Sequence, residues 1–203
     1  MRALVWRYLG IALAASLMGA GALAEESGIN SPAFKEKLEV CAACHGPAGV
    51  ASAEGVPNIA GEPELFTQWQ LVYFRGETRK NELMTPAAKD LTDQDIRDLG
   101  AYFLSLAPAA PAESDSDPAL TAAGARLEAD RHCNQCHLDR FEGQGETPRL
   151  AAQREDYIVK ALHDYQQGAR RGRGNVIMPE IAYSLSEEDI RALAHFMSRQ
   201  APK

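Results

Sequence analysis

Cys41-Ala42-Ala43-Cys44-His45 and Cys133-Asn134-Gln135-Cys136-His137 are two copies of one pentapeptide pattern, and they contain all four cysteines of the 203-residue chain. The Cys-X-X-Cys-His spacing is typical of covalent attachment of a c-type haem. The two thiols lie about one helical turn apart, and the histidine that follows them is positioned to ligate the iron. The chain is therefore expected to carry two covalently attached haem c groups, which indicates redox chemistry or electron transfer.

The cysteines have three alternative interpretations: a redox disulfide, a structural zinc site and two ordinary disulfides. Zinc ribbons usually bring their cysteine pairs within about twenty residues of each other, whereas these pairs lie in distant parts of the chain. None of the three explains why a histidine follows the second cysteine in both copies. The pattern therefore favours haem attachment.

The first 24 residues have the features of a signal peptide. Arg2 and Arg7 give a positive start, an Ala/Leu/Gly-rich stretch covers 9–22, and Ala22-Leu23-Ala24 matches the small-X-small cleavage pattern. The apolar stretch is shorter than the ~18–20 residues that a membrane span needs. We expect cleavage after Ala24 and a mature protein outside the cytoplasm.

The charge pattern excludes a nucleic-acid-binding role. The formal net charge is −7, and no basic stripe runs through the sequence. An acidic protein of this kind is expected to meet basic surfaces on protein partners.

The sequence contains an internal repeat of two similar units. Residues 107–117 are rich in proline, alanine and acidic residues, which predicts a linker. On its two sides, apolar residues, a proline and a methionine recur in the same order after each haem motif. We therefore predict a first domain over 25–106 and a second over 118–203.

Helix signals recur in both halves, and no segment alternates for long enough to predict a strand. Apolar residues at helical spacing predict helices over 64–75 and 154–167. Capping residues predict four further helix starts, at Ser31, Thr92, Asp117 and Ser186. The expected fold class is all-α, with each haem serving as part of a small helical core.

Met84 and Met178 are the candidate axial ligands opposite His45 and His137. Each methionine is expected in a loop just before the closing helix of its half, close to a proline. Met/His is a standard haem ligand pair, and it raises the reduction potential. The alternative is that both methionines fill the core, but their equivalent places in the repeat favour ligation.

Other residues were considered around the two irons. His132, His163 and His195 are rival ligands, but none has a counterpart in the other half. Pro57 and Pro148 follow the two motif histidines at similar distances, so their carbonyls are candidates to accept the second ring N–H of each histidine. Simple turn prolines are the alternative for this pair.

The doubled order Cys-X-X-Cys-His, Pro, Met resembles the dihaem cytochrome c4 family, which consists of tandem class I c-type cytochromes. The segments that carry the resemblance are 41–49, 57–61, Met84 and 91–96 in the first half, and 133–137, 148–151, Met178 and 185–190 in the second. The resemblance implies two class I cytochrome c-like domains related by a pseudo-twofold axis, with the haem propionate edges close together. It also implies periplasmic electron transfer.

The partners implied by this resemblance are redox proteins: a terminal oxidase, a dehydrogenase or a flavoprotein, including docking on a membrane complex. The chain is expected to act as a monomer or homodimer and as an electron carrier rather than an enzyme. One alternative is the cytochrome subunit of a larger dehydrogenase, such as a flavocytochrome c. A dihaem peroxidase is a weaker alternative, because it needs an open iron position beside a catalytic base.

Charge differs between the halves. The first is acidic and the second is balanced, so the first haem is expected to have the lower potential, although solvent screens charges beyond ~10 Å. Arg170, Arg171 and Arg173 form a basic run that we considered as a steering surface for an acidic partner at the second haem. A solvated loop is the alternative for this run.

Overall fold

Nine α-helices form the regular structure of the residues that the computed structural model describes, which are 28–111, 114–170 and 177–202. In chain order they are α1 (Pro32–His45), α2 (Glu64–Arg75), α3 (Met84–Ala88), α4 (Asp93–Ser105), α5 (Pro118–Arg131), α6 (Asn134–His137), α7 (Glu155–Gln166), α8 (Ile177–Tyr183) and α9 (Glu187–Ser198). Within these ranges there is no β-strand, only one isolated antiparallel bridge between Gln144 and Thr147. The all-α prediction is confirmed.

The helices pack in two groups, α1–α4 in the first half and α5–α9 in the second. The most extensive contacts are those of α2 with α4 and of α5 with α9, each inside one group. Each half has its own core, and equivalent residues of the repeat occupy both: Leu71 and Leu162, Ile96 and Ile190, and Leu99 and Leu193. Burial of each such side chain contributes about 1.5–3 kcal/mol, so the repeated apolar positions give both halves a core of the same design.

The four predicted helix starts are all present. The Ser31 side chain accepts a hydrogen bond from Phe34 N, and Asp117 accepts one from Leu120 N. Thr92 and Ser186 form complete capping boxes. Helix α2 has the predicted bounds, whereas α7 is one residue shorter at each end than the predicted 154–167, because Arg154 and Gln167 are its caps.

The segment predicted as a linker lies against both halves. Pro108 packs on Gly61, where an added Cβ would lie 2.6 Å from the Pro108 Cγ atom. Ala109 is buried. On the other side, the carboxylate of Asp115 lies 3.1 Å from Nε2 of His195 on α9. The segment therefore has fixed contacts at both ends.

The predicted signal peptide (1–24) and Arg171 and Arg173 of the basic run lie outside the described residues. In the described part of the chain, no helix is both long enough and apolar enough to cross a membrane.

Candidate functional site

The first pentapeptide forms the last turns of α1. Its helical conformation places Cys41 and Cys44 one turn apart, and His45 is the final helical residue, 7% exposed. Gly46 ends the helix with a φ of 76°, in the region that glycine adopts without strain. Ser31, which caps α1, thus fixes the helix that carries the motif.

The second pentapeptide is set apart from its leading helix. Helix α5 ends at His132, which has left-handed backbone angles (φ 56°, ψ 40°). Cys133 follows this break, and the short helix α6 carries Cys136 and His137, which is 6% exposed. The two halves therefore present the same pentapeptide from different local structures, one continuous helix and one broken helix.

None of the four cysteines forms a disulfide. Among the described residues, no group of three or more His, Cys, Asp and Glu side chains is arranged to hold a metal ion. The geometry therefore gives no support to the disulfide and zinc alternatives.

The two motif histidines make identical hydrogen bonds. His45 Nδ1 lies 2.9 Å from the carbonyl oxygen of Pro57, and His137 Nδ1 lies 2.9 Å from that of Pro148. A carbonyl oxygen only accepts, so each Nδ1 carries the proton and donates it. Each Nε2 is then the nitrogen with the free lone pair, which is the state that an iron ligand requires.

Burial reinforces this neutral state. It lowers the pKa of His45 and of His137, and the hydrogen bonds to Pro57 and Pro148 oppose that effect only in part. Neutral imidazoles remain available to a metal at pH values where an exposed histidine would begin to protonate.

Met84 and Met178 line the same cavity as the two histidines and the four cysteines, a continuous space of about 540 Å³. The expectation that both methionines lie in loops is wrong. Met84 is the first residue of α3, and Met178 lies in α8. A hydrogen bond from Met84 N to Asn81 Oδ1 (2.9 Å) fixes the start of α3, so a short helix rather than a loop positions this methionine.

The three rival histidines have other partners. His163 Nε2 lies 2.8 Å from a carboxylate oxygen of Glu187. His195 is buried between Glu155 and Asp115, with one carboxylate at each ring nitrogen. His132 ends α5, as described above. The structure therefore gives these residues helix-packing and helix-ending positions.

The two halves meet through a pseudo-symmetric set of hydrogen bonds around the cavity. Asn58 N donates to Gln153 Oε1 (2.8 Å), and at the equivalent position Arg149 N donates to Glu62 Oε2 (3.0 Å). Asn58 and Gln153 make two more bonds across the interface, from Asn58 Nδ2 to Ala152 O and from Gln153 Nε2 to Asn58 O. The segments that follow Pro57 and Pro148 thus bind each other directly.

Two arginines repeat the same symmetry. The guanidinium of Arg79 lies over the Phe74 ring (4.6 Å) and donates to the Tyr157 hydroxyl of the other half. That of Arg170 lies over the Tyr165 ring (4.7 Å) and near Phe66 of the other half (6.0 Å). Arg170 is only 5% exposed, so its assignment to an exposed steering surface is wrong. The backbone N–H of Arg170 donates to Asp164 O at the end of α7, and this bond turns the chain so that the side chain lies at the interface between the halves.

The cationic groups around the cavity fit a ligand with carboxylates. Within the described ranges, no carboxylate lies at ion-pair distance from Arg79 or Arg170, and Nη1 of Arg149 is buried without a hydrogen-bond partner. A haem has propionate carboxylates, and guanidinium groups with no carboxylate at ion-pair distance are suitable partners for them. The apolar lining and these arginines together fit the group that the two motifs predict.

The sequence analysis did not identify Glu62, Gln153 and Arg79. The signal was present, because Glu62 and Gln153 occupy equivalent positions of the repeat, as do Arg79 and Arg170. A comparison of the polar residues at equivalent positions, in addition to the apolar ones, would have found them.

Comparison with known proteins supports the same picture. The cytochrome c family model matches residues 34–107 and again 121–201. The chain is 35% identical over 199 residues to cytochrome c4 of Azotobacter vinelandii, which covers 89% of this chain and 93% of that protein. It is 30% identical over 169 residues to a thiosulfate dehydrogenase electron acceptor of Thiomonas intermedia, with 79% and 78% of the two chains covered.

A solved structure has the same fold. Reduced recombinant cytochrome c4 from Pseudomonas stutzeri superimposes with a TM-score of 0.72 at 33% sequence identity. The match covers 83% of this chain and 97% of that one. The likeness therefore extends over both halves and their relative arrangement.

Proposed function

The chain belongs to the cytochrome c4 family of dihaem c-type electron carriers, and on this basis we propose which of its residues hold the two haem c groups. Cys41 and Cys44 would be the attachment points of the first, with His45 and Met84 as its iron ligands. The second set is Cys133, Cys136, His137 and Met178. The observation that carries this proposal is the matched pair of Nδ1–H···O=C bonds, which leaves the Nε2 lone pair of both buried histidines free for iron.

Each bound haem supplies an iron that alternates between the ferric and ferrous states and so carries one electron. The chain's residues set the conditions for this exchange. Pro57 and Pro148 hold the two imidazole rings in one orientation and increase their basicity. Met84 and Met178 would each supply a thioether sulfur to the iron, a soft ligand that favours reduced iron and would leave no position for substrate.

We propose the domain boundaries 25–106 and 118–203, joined by 107–117. The direct hydrogen bonds between the segments after Pro57 and Pro148 support electron exchange between the halves, because they hold the two sites in one arrangement. In this scheme the bonds of Asn58 with Gln153 and of Arg149 with Glu62 would keep the two haem-binding halves in one arrangement, in which an electron received by one half would pass to the other.

The partners in this proposal are redox proteins outside the cytoplasm, in the periplasm, after cleavage at Ala24. A dehydrogenase as electron donor is a specific candidate, because one relative is a thiosulfate dehydrogenase electron acceptor. A terminal oxidase is the candidate acceptor. A stable subunit role in a larger dehydrogenase is the second candidate function, and co-purification of a dehydrogenase from the source cells would favour it.

The proposed carrier does no bond chemistry of its own. Both cavity methionines are in place, and the buried histidines His45 and His137 are committed to the proline carbonyls rather than free to act as bases. A dihaem peroxidase needs an open iron, so carbon monoxide binding to the reduced protein discriminates the two functions.

The experiment that tests the proposal is the intact mass and absorption spectrum of the mature protein. We expect two covalently bound haems and a weak near-infrared band from methionine–iron ligation at both. His45→Ala and His137→Ala should each remove the normal spectrum of one haem. A mature protein with fewer than two covalent haems contradicts the proposal.

A further inference from the structure

The Pro148–Arg149 peptide group connects the two halves at the second haem site. Its carbonyl oxygen accepts the hydrogen bond from His137 Nδ1 (2.9 Å), and its N–H donates to Glu62 Oε2 (3.0 Å). A carboxylate of the first half is thus bound to the same peptide group as the proposed iron ligand of the second half.

The equivalent peptide group in the first half has a different partner. The Pro57 carbonyl accepts from His45 Nδ1 (2.9 Å), and the Asn58 N–H donates to Gln153 Oε1 (2.8 Å). Both sites therefore share the bond from the histidine to the carbonyl and the bond from the peptide N–H to a side chain of the other half, but Gln153 is neutral and also donates to Asn58 O, whereas Glu62 is an acid.

A hydrogen bond to a carboxylate polarises a peptide group more than one to an amide does. Electron density moves toward the carbonyl oxygen, which then accepts more strongly from the imidazole N–H. A ligand histidine whose second nitrogen donates to a stronger acceptor is more basic toward the metal, and this stabilises the oxidised iron.

We propose that Glu62 is a positioning residue that acts across the interface, through the Pro148–Arg149 peptide, to lower the reduction potential of the second haem relative to the first. Gln153 is the neutral counterpart that acts on His45. This inference rests on the proposed function, because it takes His137 to be an iron ligand. Its effect opposes the one expected from the acidic surface charge of the first half, and it acts through direct bonds that solvent does not screen.

The surroundings of Glu62 allow it to change its charge. The side chain is 4% exposed, and burial raises its pKa to about 8, although the hydrogen bond from Arg149 N and the charges of Arg149 and Arg170 act to lower it. The groups that face it among the described residues are Arg149 on the loop before α7, Tyr157 on α7, Arg170 after α7 and the neutral Gln153. Ionised Glu62 favours ferric iron, so the potential of the second haem should fall as pH rises through this titration.

The experiment compares Glu62→Gln, Gln153→Glu and the double exchange in the protein with both haems. Potentials are assigned to each half by paramagnetic NMR, starting from haem methyl signals that contact residues of that half. At a pH above about 8, where Glu62 is ionised, Glu62→Gln should raise the reduction equilibrium constant of the second haem about tenfold, which is about 59 mV for one electron, and leave the first unchanged. Gln153→Glu should lower the first haem's potential, and the double exchange should reverse the order.

The pH dependence gives an independent check on the wild-type protein. The potential of the second haem should fall more steeply with pH than that of the first, and Glu62→Gln should remove the excess slope. Haem propionates also titrate, but they are present in both halves and in every variant, so the difference isolates Glu62.

Equal shifts of both potentials in Glu62→Gln, a shift of the first haem alone, or no shift overturns the inference. If two haems with methionine bands are present, this result leaves the proposed function standing. A second haem without histidine ligation overturns both.

Discussion

Gly124 on α5 lies directly against Ala192 on α9: a Cβ added at Gly124 would lie 2.2 Å from the Ala192 carbonyl oxygen. The same atom would lie 2.5 Å from Cβ of Phe196. The two helices therefore approach each other so closely that only glycine fits, and this crossing is the basis of the second half's packing.

Gly124→Ala should destabilise the protein by about 1–3 kcal/mol or more, because the helices must separate to admit one methyl group. Without that clash, alanine would stabilise an interior helix position. Urea unfolding of the haem-loaded protein measures the effect. Ala122→Ser, on the exposed side of α5, is the control and should change the stability by less than about 0.5 kcal/mol. Equal stability of Gly124→Ala and wild type would show that the crossing is looser than described.

Thr92→Ala should weaken the start of α4 by about 1 kcal/mol. Partial burial acts to raise the pKa of Asp95, but hydrogen bonds from Thr92 and the pairing with Lys37 lower it overall. A carboxyl whose folded pKa is lowered adds stability above its unfolded pKa, and that stability is lost as pH falls through the folded pKa. The cost of Thr92→Ala should therefore be largest near neutral pH and shrink below the ordinary aspartate range.

Chemical unfolding of wild type and Thr92→Ala at a series of pH values checks this prediction. Ser186→Ala is the matched variant, since Ser186 forms the same capping box on α9. A cost of Thr92→Ala that stays constant down to strongly acidic pH would contradict the coupling to Asp95.

Met84→Ala and Met178→Ala should each open one iron to carbon monoxide, because each removes one proposed axial sulfur. The reduced variants should bind carbon monoxide at one haem of two, and each should lose half of the near-infrared methionine band. Met197→Leu is the control, because Met197 packs in the core of the second half and is not a proposed ligand. Failure of either alanine variant to bind carbon monoxide argues for a different sixth ligand.

Arg170→Met should lower stability by about 1–2 kcal/mol, through loss of the contact with the Tyr165 ring. It should leave the salt dependence of association with an acidic redox partner unchanged, since this side chain is buried. Stopped-flow association rates at several ionic strengths, with Arg171→Met for comparison, test this. If Arg170→Met made the association rate less dependent on ionic strength, Arg170 would be part of the steering surface after all.

The motif residues were predictable from sequence because haem attachment fixes their spacing along the chain. The apolar repeat was predictable for a similar reason, since Leu71 and Leu162 each follow from helical periodicity. The helical position of Met84 was not, because α3 has only five residues and its start depends on a hydrogen bond that Met84 N donates to Asn81 Oδ1.

The contacts between the halves depend on how the two folded cores pack against each other, and no local sequence pattern encodes this packing. Arg170 illustrates this limit. It begins a run of arginines for which the sequence predicts exposure to solvent. Its backbone hydrogen bond to Asp164 instead places the side chain at the interface. Glu62 likewise follows an ordinary Ala-Gly turn, and its role emerges only when Arg149 of the other half is placed beside it.

The donors that Gln153 and Glu62 bind are the main-chain N–H groups of Asn58 and Arg149. Every amino acid except proline supplies such a donor, so these two bonds do not depend on which side chain stands at 58 or 149. Two copies arising from a duplicated ancestor could in this way diverge, one acquiring an amide side chain and the other a guanidinium, while remaining fastened together. Proline is the substitution that this arrangement forbids at either position.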